Sequence, residues 1–317
     1  MPDFRMMELD AEYRQLREEA GLLDRSNRGK LAITGPDAAE YLQGQLTNDV
    51  ESLATGEGCY AALLDRKGHM QADMRVLRLD SETFWIDTEP EATEVAGRHL
   101  QTYKVGRQVE VTDVTAERAI LSLVGPRSSE IGGVSSLPAY RCEPVTVGAV
   151  DCLAVGTAGG VDLIADQEDA ARLRPALIAA GAVAVGFDAI EMLRIETGIP
   201  RFGAEMSSET MPAEAGIVED AVSFTKGCYI GQEPVARLHY KGRPNRHLRG
   251  LRLSATVTPG ESLRLGEKVV GEVGSTCVSP LHGPIALTIV RREAEPGSEL
   301  AVGEDGVTAR VVDLPFG

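Results

Sequence analysis

The chain has 317 residues, of which 43% are hydrophobic and 25% are charged, a composition typical of folded globular proteins and sufficient for two or three domains. Its 32 Lys and Arg residues against 48 Asp and Glu residues give a formal net charge of −16. Such a chain repels phosphate backbones and anionic lipids at long range, which argues against direct nucleic-acid or membrane binding.

The cysteine pattern and the N-terminal segment indicate the cellular compartment. The five cysteines include no C-x-x-C pair, which argues against a disulfide framework and a zinc ribbon. The first 23 residues are charged and acid-rich, unlike a signal peptide. The longest apolar run, residues 176–186, is too short to cross a bilayer. We therefore expect a cytoplasmic protein with reduced thiols and no metal site.

Mixed helices and strands are predicted over most of the chain. The pattern begins with an amphipathic helix, and a later hairpin turns at Arg66-Lys67-Gly68-His69. The absence of a regular βαβ rhythm predicts an α+β fold with antiparallel sheet. The predicted helices are 8–20, one that begins after Gly35-Pro36-Asp37, 91–103, 167–180 and 187–197. The predicted strands are 30–34, 59–65, 70–79, 83–88, 109–114, 119–124, 145–155 and 161–165.

The pattern changes after residue 246. Short β-runs follow one another without helical periodicity and are separated by Pro-Gly or Gly-rich turns, which predicts a small all-β barrel or sandwich. The best linker is Gly242-Arg243-Pro244. The predicted strands are 247–253, 267–278, 285–292, 299–302 and 308–312.

The most unusual motif is Lys226-Gly227-Cys228-Tyr229-Ile230-Gly231-Gln232-Glu233. A nearby cation and a following helix both favour the thiolate, so Cys228 is a candidate for a reactive thiol with a lowered pKa. The alternative is a buried structural cysteine in a tight turn.

A basic segment follows this motif. Six Arg and Lys residues occur in positions 237–252, and no acidic residue lies between Glu233 and Glu261. This concentration of charge in an acidic chain is a candidate anion site. The alternative is a solvated linker and strand face.

Two acidic positions are also candidates. Asp73 lies inside a strand-like run, where Asp is disfavoured. Glu214 lies among Pro, Ala and Gly residues, and a carboxylate there suits a heterocycle with adjacent N–H donors, such as a pterin. A loop cap or a surface acid is the alternative for either residue.

The octapeptide that begins at Lys226 resembles the signature of the YgfZ family of folate-binding proteins, bacterial relatives of a mitochondrial iron–sulfur maturation factor. The wider superfamily is that of the glycine-cleavage T-protein, an aminomethyltransferase. Segments similar to its landmarks occur in order along the chain, at 23–26, 33–38, 46–50, 68–76, 194–200 and 212–216.

This resemblance implies an α+β fold with a three-domain, ring-like T-protein arrangement. The implied domains are a discontinuous folate-binding domain (1–50 and 116–242), an inserted ferredoxin-like α+β domain (51–115) and a C-terminal antiparallel β-barrel (243–317). The implied ligand is tetrahydrofolate, with or without a polyglutamate tail. Glu214 would hold the pterin and Asp73 would lie near the reacting nitrogens. The cofactor-binding candidates are Glu214, Asp73, Asn48, Tyr229, Gln232 and Arg243, and the catalytic candidates are Cys228, Lys226 and Asp73.

Two departures distinguish the branches of the superfamily. T-proteins carry an Asp-Asp pair where this chain has Ala72-Asp73, and residues 157–162 lack an acid of a second T-protein segment. Loss of such acids disfavours a classical aminomethyltransferase. We therefore expect a folate-binding protein that supports iron–sulfur cluster assembly or repair, and through it tRNA-modifying enzymes.

In that interpretation the partners are iron–sulfur client or assembly proteins. Lys226 activates the Cys228 thiolate, and Gln232 and Glu233 organise the turn. The alternative is a folate-dependent aminomethyl- or methyltransferase. An RNA-contacting module is a third hypothesis, which the acidic charge disfavours.

Overall fold

The computed structural model describes residues 4–317, with side chains from Glu8 onward. A single 3-10 turn, Gln167–Asp169, precedes the fifth helix. The helices are α1 (Phe4–Glu18), α2 (Ala38–Gln45), α3 (Pro90–Tyr103), α4 (Ser128–Ile131), α5 (Ala170–Ala179), α6 (Phe187–Thr197), α7 (Pro212–Ala215), α8 (Val218–Ala221) and α9 (Gln232–Lys241).

The strands occur in runs between and after these helices, without a regular repeat. They are β1 (Gly21–Asp24), β2 (Gly29–Thr34), β3 (Gly58–Leu64), β4 (Met70–Arg78), β5 (Thr83–Thr88), β6 (Glu110–Asp113), β7 (Arg118–Val124), β8 (Cys142–Val147), β9 (Val150–Thr157), β10 (Gly160–Asp166), β11 (Val183–Ala184), β12 (Arg246–Leu253), β13 (Ser262–Leu265), β14 (Lys268–Glu272), β15 (Ser275–Ser279), β16 (Gly283–Arg291), β17 (Glu299–Val302) and β18 (Val307–Val312).

Backbone contacts divide the chain into two compact units. The first unit contains the residues up to 64, 71–189 and 220–230, and the second contains 65–70, 190–219 and 231–317. The first unit holds two sheets, in the strand orders β3-β4-β5-β2-β6 and β11-β1-β7-β10-β9-β8. The three-domain division stays a prediction.

The helix α3 covers the five-stranded sheet of the first unit. Its buried residues Ala92, Ala96 and Leu100 recur every four positions, so they form one apolar stripe. The helix packs on β2 and β6. A Cβ at Gly29 would lie 1.8 Å from the Thr93 Oγ1 atom, so only glycine permits this close approach.

The six-stranded sheet has its own core. Leu121 of β7 and Leu163 of β10 lie directly opposite each other and are fully buried. Leu173 and Leu177 of α5 belong to the same apolar cluster. Burial of each such leucine contributes about 1.5–3 kcal/mol relative to an exposed position.

The second unit contains a seven-stranded sheet in the order β14-β13-β17-β18-β12-β16-β15. Every assigned pairing in it is antiparallel, and β14 also contacts β16, so the sheet curls toward closure. Buried residues such as Leu251, Leu263 and Val311 fill its interior. The α+β fold with a C-terminal antiparallel sheet, expected from the sequence, is confirmed.

Two predicted strands are wrong in extent. The run 145–155 is divided between β8 and β9, because the chain turns at Gly148 and Ala149, whose φ angles are +55° and +64°. The run 267–278 is likewise divided between β14 and β15, with Val273 and Gly274 between them. The strands β1, β11 and β13 are not predicted.

Candidate functional site

The two oxygen atoms of the Asp73 carboxyl group on β4 differ in their hydrogen bonding. Its Oδ2 atom accepts a hydrogen bond of 2.7 Å from the Tyr60 hydroxyl on the neighbouring strand β3. Its Oδ1 atom is buried and has no hydrogen-bond partner among the residues that the structure describes. Burial raises the pKa of Asp73, against the opposing hydrogen bond from Tyr60. The site thus offers a buried acceptor to an N–H or O–H group of a ligand.

Charged side chains in the first unit form a buried network. Arg75 of β4 donates to Asp87 of β5 at 2.6 Å and to Asp162 of β10 at 2.8 Å. Arg28 donates to the other Asp87 oxygen at 2.7 Å and also pairs with Glu89. Burial would raise the pKa of Asp87, but the two arginines outweigh it and hold that pKa at about 2. The network joins the two sheets of the unit.

Lys226 forms a clamp on the end of α2. Its Nζ atom donates to the carbonyl oxygens of Gln43 and Leu46, each at 2.6 Å, and of Asn48 at 2.9 Å. Burial lowers the pKa of Lys226 to about 8, against the charge of Asp49. Three acceptors use all three N–H groups of the ammonium. Any effect of Lys226 on the Cys228 thiol therefore acts through charge and not through a hydrogen bond.

Asn48 organises the loop that follows α2. Its Nδ2 atom donates to the carbonyl oxygens of Tyr60 at 2.8 Å and Asp220 at 2.9 Å, and its Oδ1 atom accepts from the Asp49 amide. Both amide protons are therefore used within the first unit. The predicted contact of Asn48 with folate stays a prediction, for which the structure leaves the second lone pair of Oδ1.

Cys228 and Tyr229 differ in exposure. Cys228 is exposed, so the alternative of a buried structural cysteine is wrong. Tyr229 is only 7% exposed, and its ring centroid lies 5.0 Å from the Lys226 ammonium. Its hydroxyl is buried with no partner in the described part of the chain, and burial raises its pKa to about 12. This hydroxyl is a second polar atom that a ligand can satisfy.

Glu214 lies on α7 in the second unit and is 7% exposed. Arg246 donates to both of its carboxylate oxygens, from Nε at 3.0 Å and from Nη2 at 2.8 Å. The Met211 amide donates to Oε2 at 3.1 Å, so the loop-cap alternative is also realised. The bidentate guanidinium occupies the same carboxylate edge that adjacent N–H groups of a pterin would use.

The remaining candidates surround α9. Gln232 begins this helix after Gly231, whose φ is +82°, and it is half-buried. Glu233 is exposed in the first turn, and Arg243 is exposed two residues beyond the helix end. The structure brings Lys226 together with Asn48 and Tyr229, whereas Glu214, Gln232 and Arg243 belong to the second unit.

Sequence reasoning missed two partners of its own candidates. Tyr60 lies in the first strand of the predicted hairpin and Asp73 in the second, so the pair was within reach of that prediction. Arg246 was counted in the basic segment, but nothing in the spacing indicated that it pairs with Glu214. The sequence did not indicate the ion network around Arg75, because its residues come from four separate segments of the chain.

Residues 4–317 contain neither a metal-binding cluster nor a membrane-spanning helix. No group of three or more His, Cys, Asp or Glu side chains among them is arranged to hold a metal ion. No helix in the same range combines the length and the apolar character needed to span a bilayer.

Known proteins resemble the chain over nearly its whole length. Residues 3–226 match the GCVT N-terminal domain, and residues 246–316 match the glycine cleavage T-protein C-terminal barrel domain. The aminomethyltransferase of Symbiobacterium thermophilum is 33% identical over 96% of this chain and 88% of its own length. That of Rubrobacter xylanophilus is 32% identical over 97% and 86%.

A solved structure shows the same fold. The glycine cleavage system aminomethyltransferase T from Bartonella henselae superimposes with a TM-score of 0.88. The match covers 98% of this chain and 89% of that protein, at 23% sequence identity.

Proposed function

The chain belongs to the glycine cleavage T-protein family, and on that premise we propose that it binds tetrahydrofolate and catalyses folate-dependent transfer of an aminomethyl or related one-carbon unit. The sequence motifs left this activity as the alternative to an iron–sulfur role. The name shared by its relatives supports it over the iron–sulfur interpretation. The observation that carries it is the Asp73 carboxyl group, with Oδ2 on Tyr60 and Oδ1 buried without a partner.

The residues present fit a folate. Adjacent N–H groups of a pterin suit the Glu214 carboxylate, a pairing that is strong and geometrically selective, but to reach it they must displace Arg246 from the same edge. The Asp73 Oδ1 atom and the Tyr229 hydroxyl are buried polar atoms that lack partners within residues 4–317. When bound, tetrahydrofolate supplies the nitrogen atoms that carry the one-carbon unit.

Asp73 is the proposed catalytic residue. The Tyr60 hydroxyl fixes Oδ2, so a proton that moves to or from the carboxyl group does so at Oδ1. Burial raises the pKa of Asp73, which makes the carboxylate a stronger base than an exposed one. Together these features suit a group that holds or releases a proton beside a reacting nitrogen.

The missing acid at position 72 does not weaken this proposal. Ala72 is fully buried on β4, and neighbouring residues of a strand point to opposite faces of the sheet. An acid at position 72 would therefore point away from the face that carries Asp73. The departure from the Asp-Asp pair leaves the proposed catalytic face unchanged.

A turnover assay tests the proposal. The purified protein is incubated with tetrahydrofolate and one of two donors. Transfer from an aminomethylated carrier yields methylene-tetrahydrofolate and ammonia, whereas transfer from a methylated amine yields methyl-tetrahydrofolate and the demethylated amine, and in each case the folate product is measured. We expect Asp73→Asn to slow its formation by about 10²–10⁴-fold. Cys228→Ala is the matched control and should retain the wild-type rate. Folate binding without any turnover of either donor would contradict the proposal.

The Cys228 motif supports a second candidate function, a folate-binding protein that maintains iron–sulfur enzymes. An exposed cysteine in a segment similar to the YgfZ signature is the observation that favours it. In a strain that lacks this protein, iron–sulfur enzyme activity is measured after return of the wild-type or the Cys228→Ser chain. Full restoration by Cys228→Ser would contradict a role for the thiol.

A further inference from the structure

The six cations of residues 237–252 separate into two groups. The three on β12 have partners in the second unit. Arg246 forms an ion pair with Glu214. The Arg249 Nη1 atom lies 3.9 Å from the Asp313 Oδ1 atom. Arg252 donates a hydrogen bond to the Gly317 carbonyl oxygen. These three serve the packing of the second unit.

The other three form what we call the α9 cation surface, namely Arg237, Lys241 and Arg243. All are exposed, and within the described residues none has an ion-pair or hydrogen-bond partner. Arg237 and Lys241 are four residues apart on α9 and so share a face. Arg243 follows two residues beyond the helix end.

The fold gives little reason for this arrangement. Like charges four residues apart destabilise a helix slightly. The helix dipole favours a cation in the last turn, which accounts for Lys241 but not for Arg237 or Arg243. Glu233 is at the right spacing to pair with Arg237, but no such pair forms. A concentration of free positive charge in a chain of net charge −16 therefore points to an external anion.

The position of α9 connects this surface with the ligand-binding candidates. The helix packs on α7, which carries Glu214. Both helices and Arg246 belong to the second unit. The unpartnered cations and the proposed pterin-binding carboxylate are therefore carried by one packed pair of helices.

We propose that the α9 cation surface binds the oligo-γ-glutamate tail of a polyglutamylated folate. This rests on the proposed function, because the tail is covalently attached to the folate bound there. A chain of carboxylates is the oligoanion that a tetrahydrofolate itself can carry. Salt screens charges beyond a Debye length of about 8–10 Å. The short tail is therefore attracted by the cations next to it more strongly than it is repelled by the acidic remainder of the protein.

Two folates of different length provide the test. The affinities of the wild-type protein for tetrahydrofolate monoglutamate and pentaglutamate are measured by calorimetry at low salt and at 0.5 M salt. We expect the pentaglutamate to bind about tenfold more tightly at low salt, since three exposed ion pairs of modest strength give a difference of that order. The preference should shrink at high salt because exposed pairs are screened.

Charge reversal assigns the preference to these residues. The triple variant Arg237→Glu/Lys241→Glu/Arg243→Glu should lose the preference, so that its affinities for the two folates agree to within about twofold. The control carries the same change in net charge on the same unit but away from α9, and it should retain the preference. Its substitutions are Arg264→Glu, Arg292→Glu and Arg310→Glu, all at exposed positions.

The outcomes separate the two proposals. Equal wild-type affinity for both folates overturns the inference and leaves the proposed function standing. Failure to bind the monoglutamate overturns the proposed function and the inference with it. Loss of preference in both triple variants contradicts the assignment to α9. If the wild type shows no tail preference but binds tRNA in a salt-dependent manner that α9 charge reversal abolishes, the surface belongs to RNA.

Discussion

Asp73 occupies a position that costs the folded protein free energy. A buried carboxylate with one hydrogen bond is poorly solvated, and the pKa of Asp73 is raised for that reason. Tyr60 offsets part of this cost through a bond of 2.7 Å. Groups that are costly to bury and incompletely satisfied are typical of ligand-binding and catalytic sites.

This cost gives the stability of the protein a defined pH dependence. With a folded-state pKa above the unfolded value of 3.8, the folded protein binds the Asp73 proton more tightly than the unfolded chain does. Stability from this group is therefore fully present below pH 3.8 and is lost as the pH rises through the folded-state pKa. The side chain at position 73 does not titrate in the Asp73→Asn variant, so this variant does not lose stability in the same way as the pH rises.

We expect the stability of Asp73→Asn, relative to wild type, to rise as the pH increases from 4 to 7. Urea unfolding at several pH values measures the difference, and Tyr60→Phe serves as a control that keeps the carboxyl group. A difference between Asp73→Asn and wild type that does not change with pH would contradict the assigned pKa direction.

Lys226 contributes to stability through its three carbonyl acceptors. In Lys226→Met the carbonyl oxygens of Gln43, Leu46 and Asn48 lose their common donor, and we expect a loss of about 1–3 kcal/mol in the free energy of unfolding. Lys241→Met is the matched control, since Lys241 is exposed and should change stability by less than about 0.5 kcal/mol. Equal losses in the free energy of unfolding for the two substitutions would contradict a stabilising role of the three Lys226 hydrogen bonds.

At the scale of elements, Arg75 connects β4 with β5 and β10 through Asp87 and Asp162. Removing one partner of a buried ion network leaves the others charged and poorly solvated. Arg75→Met should therefore destabilise the protein by about 3–5 kcal/mol. Arg98→Met, which removes an exposed pair with Glu94 on α3, should cost less than about 1 kcal/mol. Thermal unfolding of both variants makes the comparison, and similar losses would contradict a stabilising network.

The elements also show where sequence patterns are sufficient. The hairpin of β3 and β4 was predicted because two apolar runs flank a short polar turn with Gly68, whose φ is +82°. The division of β8 from β9 was not predicted from the sequence, because Ala149 adopts a positive φ that an alanine does not normally indicate. Strand β1, with the sequence Gly-Leu-Leu-Asp, shows no alternation of apolar and polar residues, so periodicity did not predict it.

At the scale of the whole molecule, two kinds of information were available from the sequence. Mixed helix and strand patterns indicated the α+β class, and the motifs around Asp73, Glu214 and Cys228 indicated the family. The pairings Tyr60–Asp73 and Glu214–Arg246 depend on which side chains the fold brings together. Spacing along the chain does not encode such long-range contacts, so they emerged only with the structure.

The most direct test of the account is a calorimetric titration of the purified protein with tetrahydrofolate, alongside Glu214→Ala and Cys228→Ala. We predict that the wild type and Cys228→Ala bind with similar affinity. Glu214→Ala should lose at least about tenfold in affinity, because a charge-assisted bidentate pair contributes about 1.5–3 kcal/mol. Absence of binding to the wild type, or unchanged binding to Glu214→Ala, would contradict folate recognition through this carboxylate.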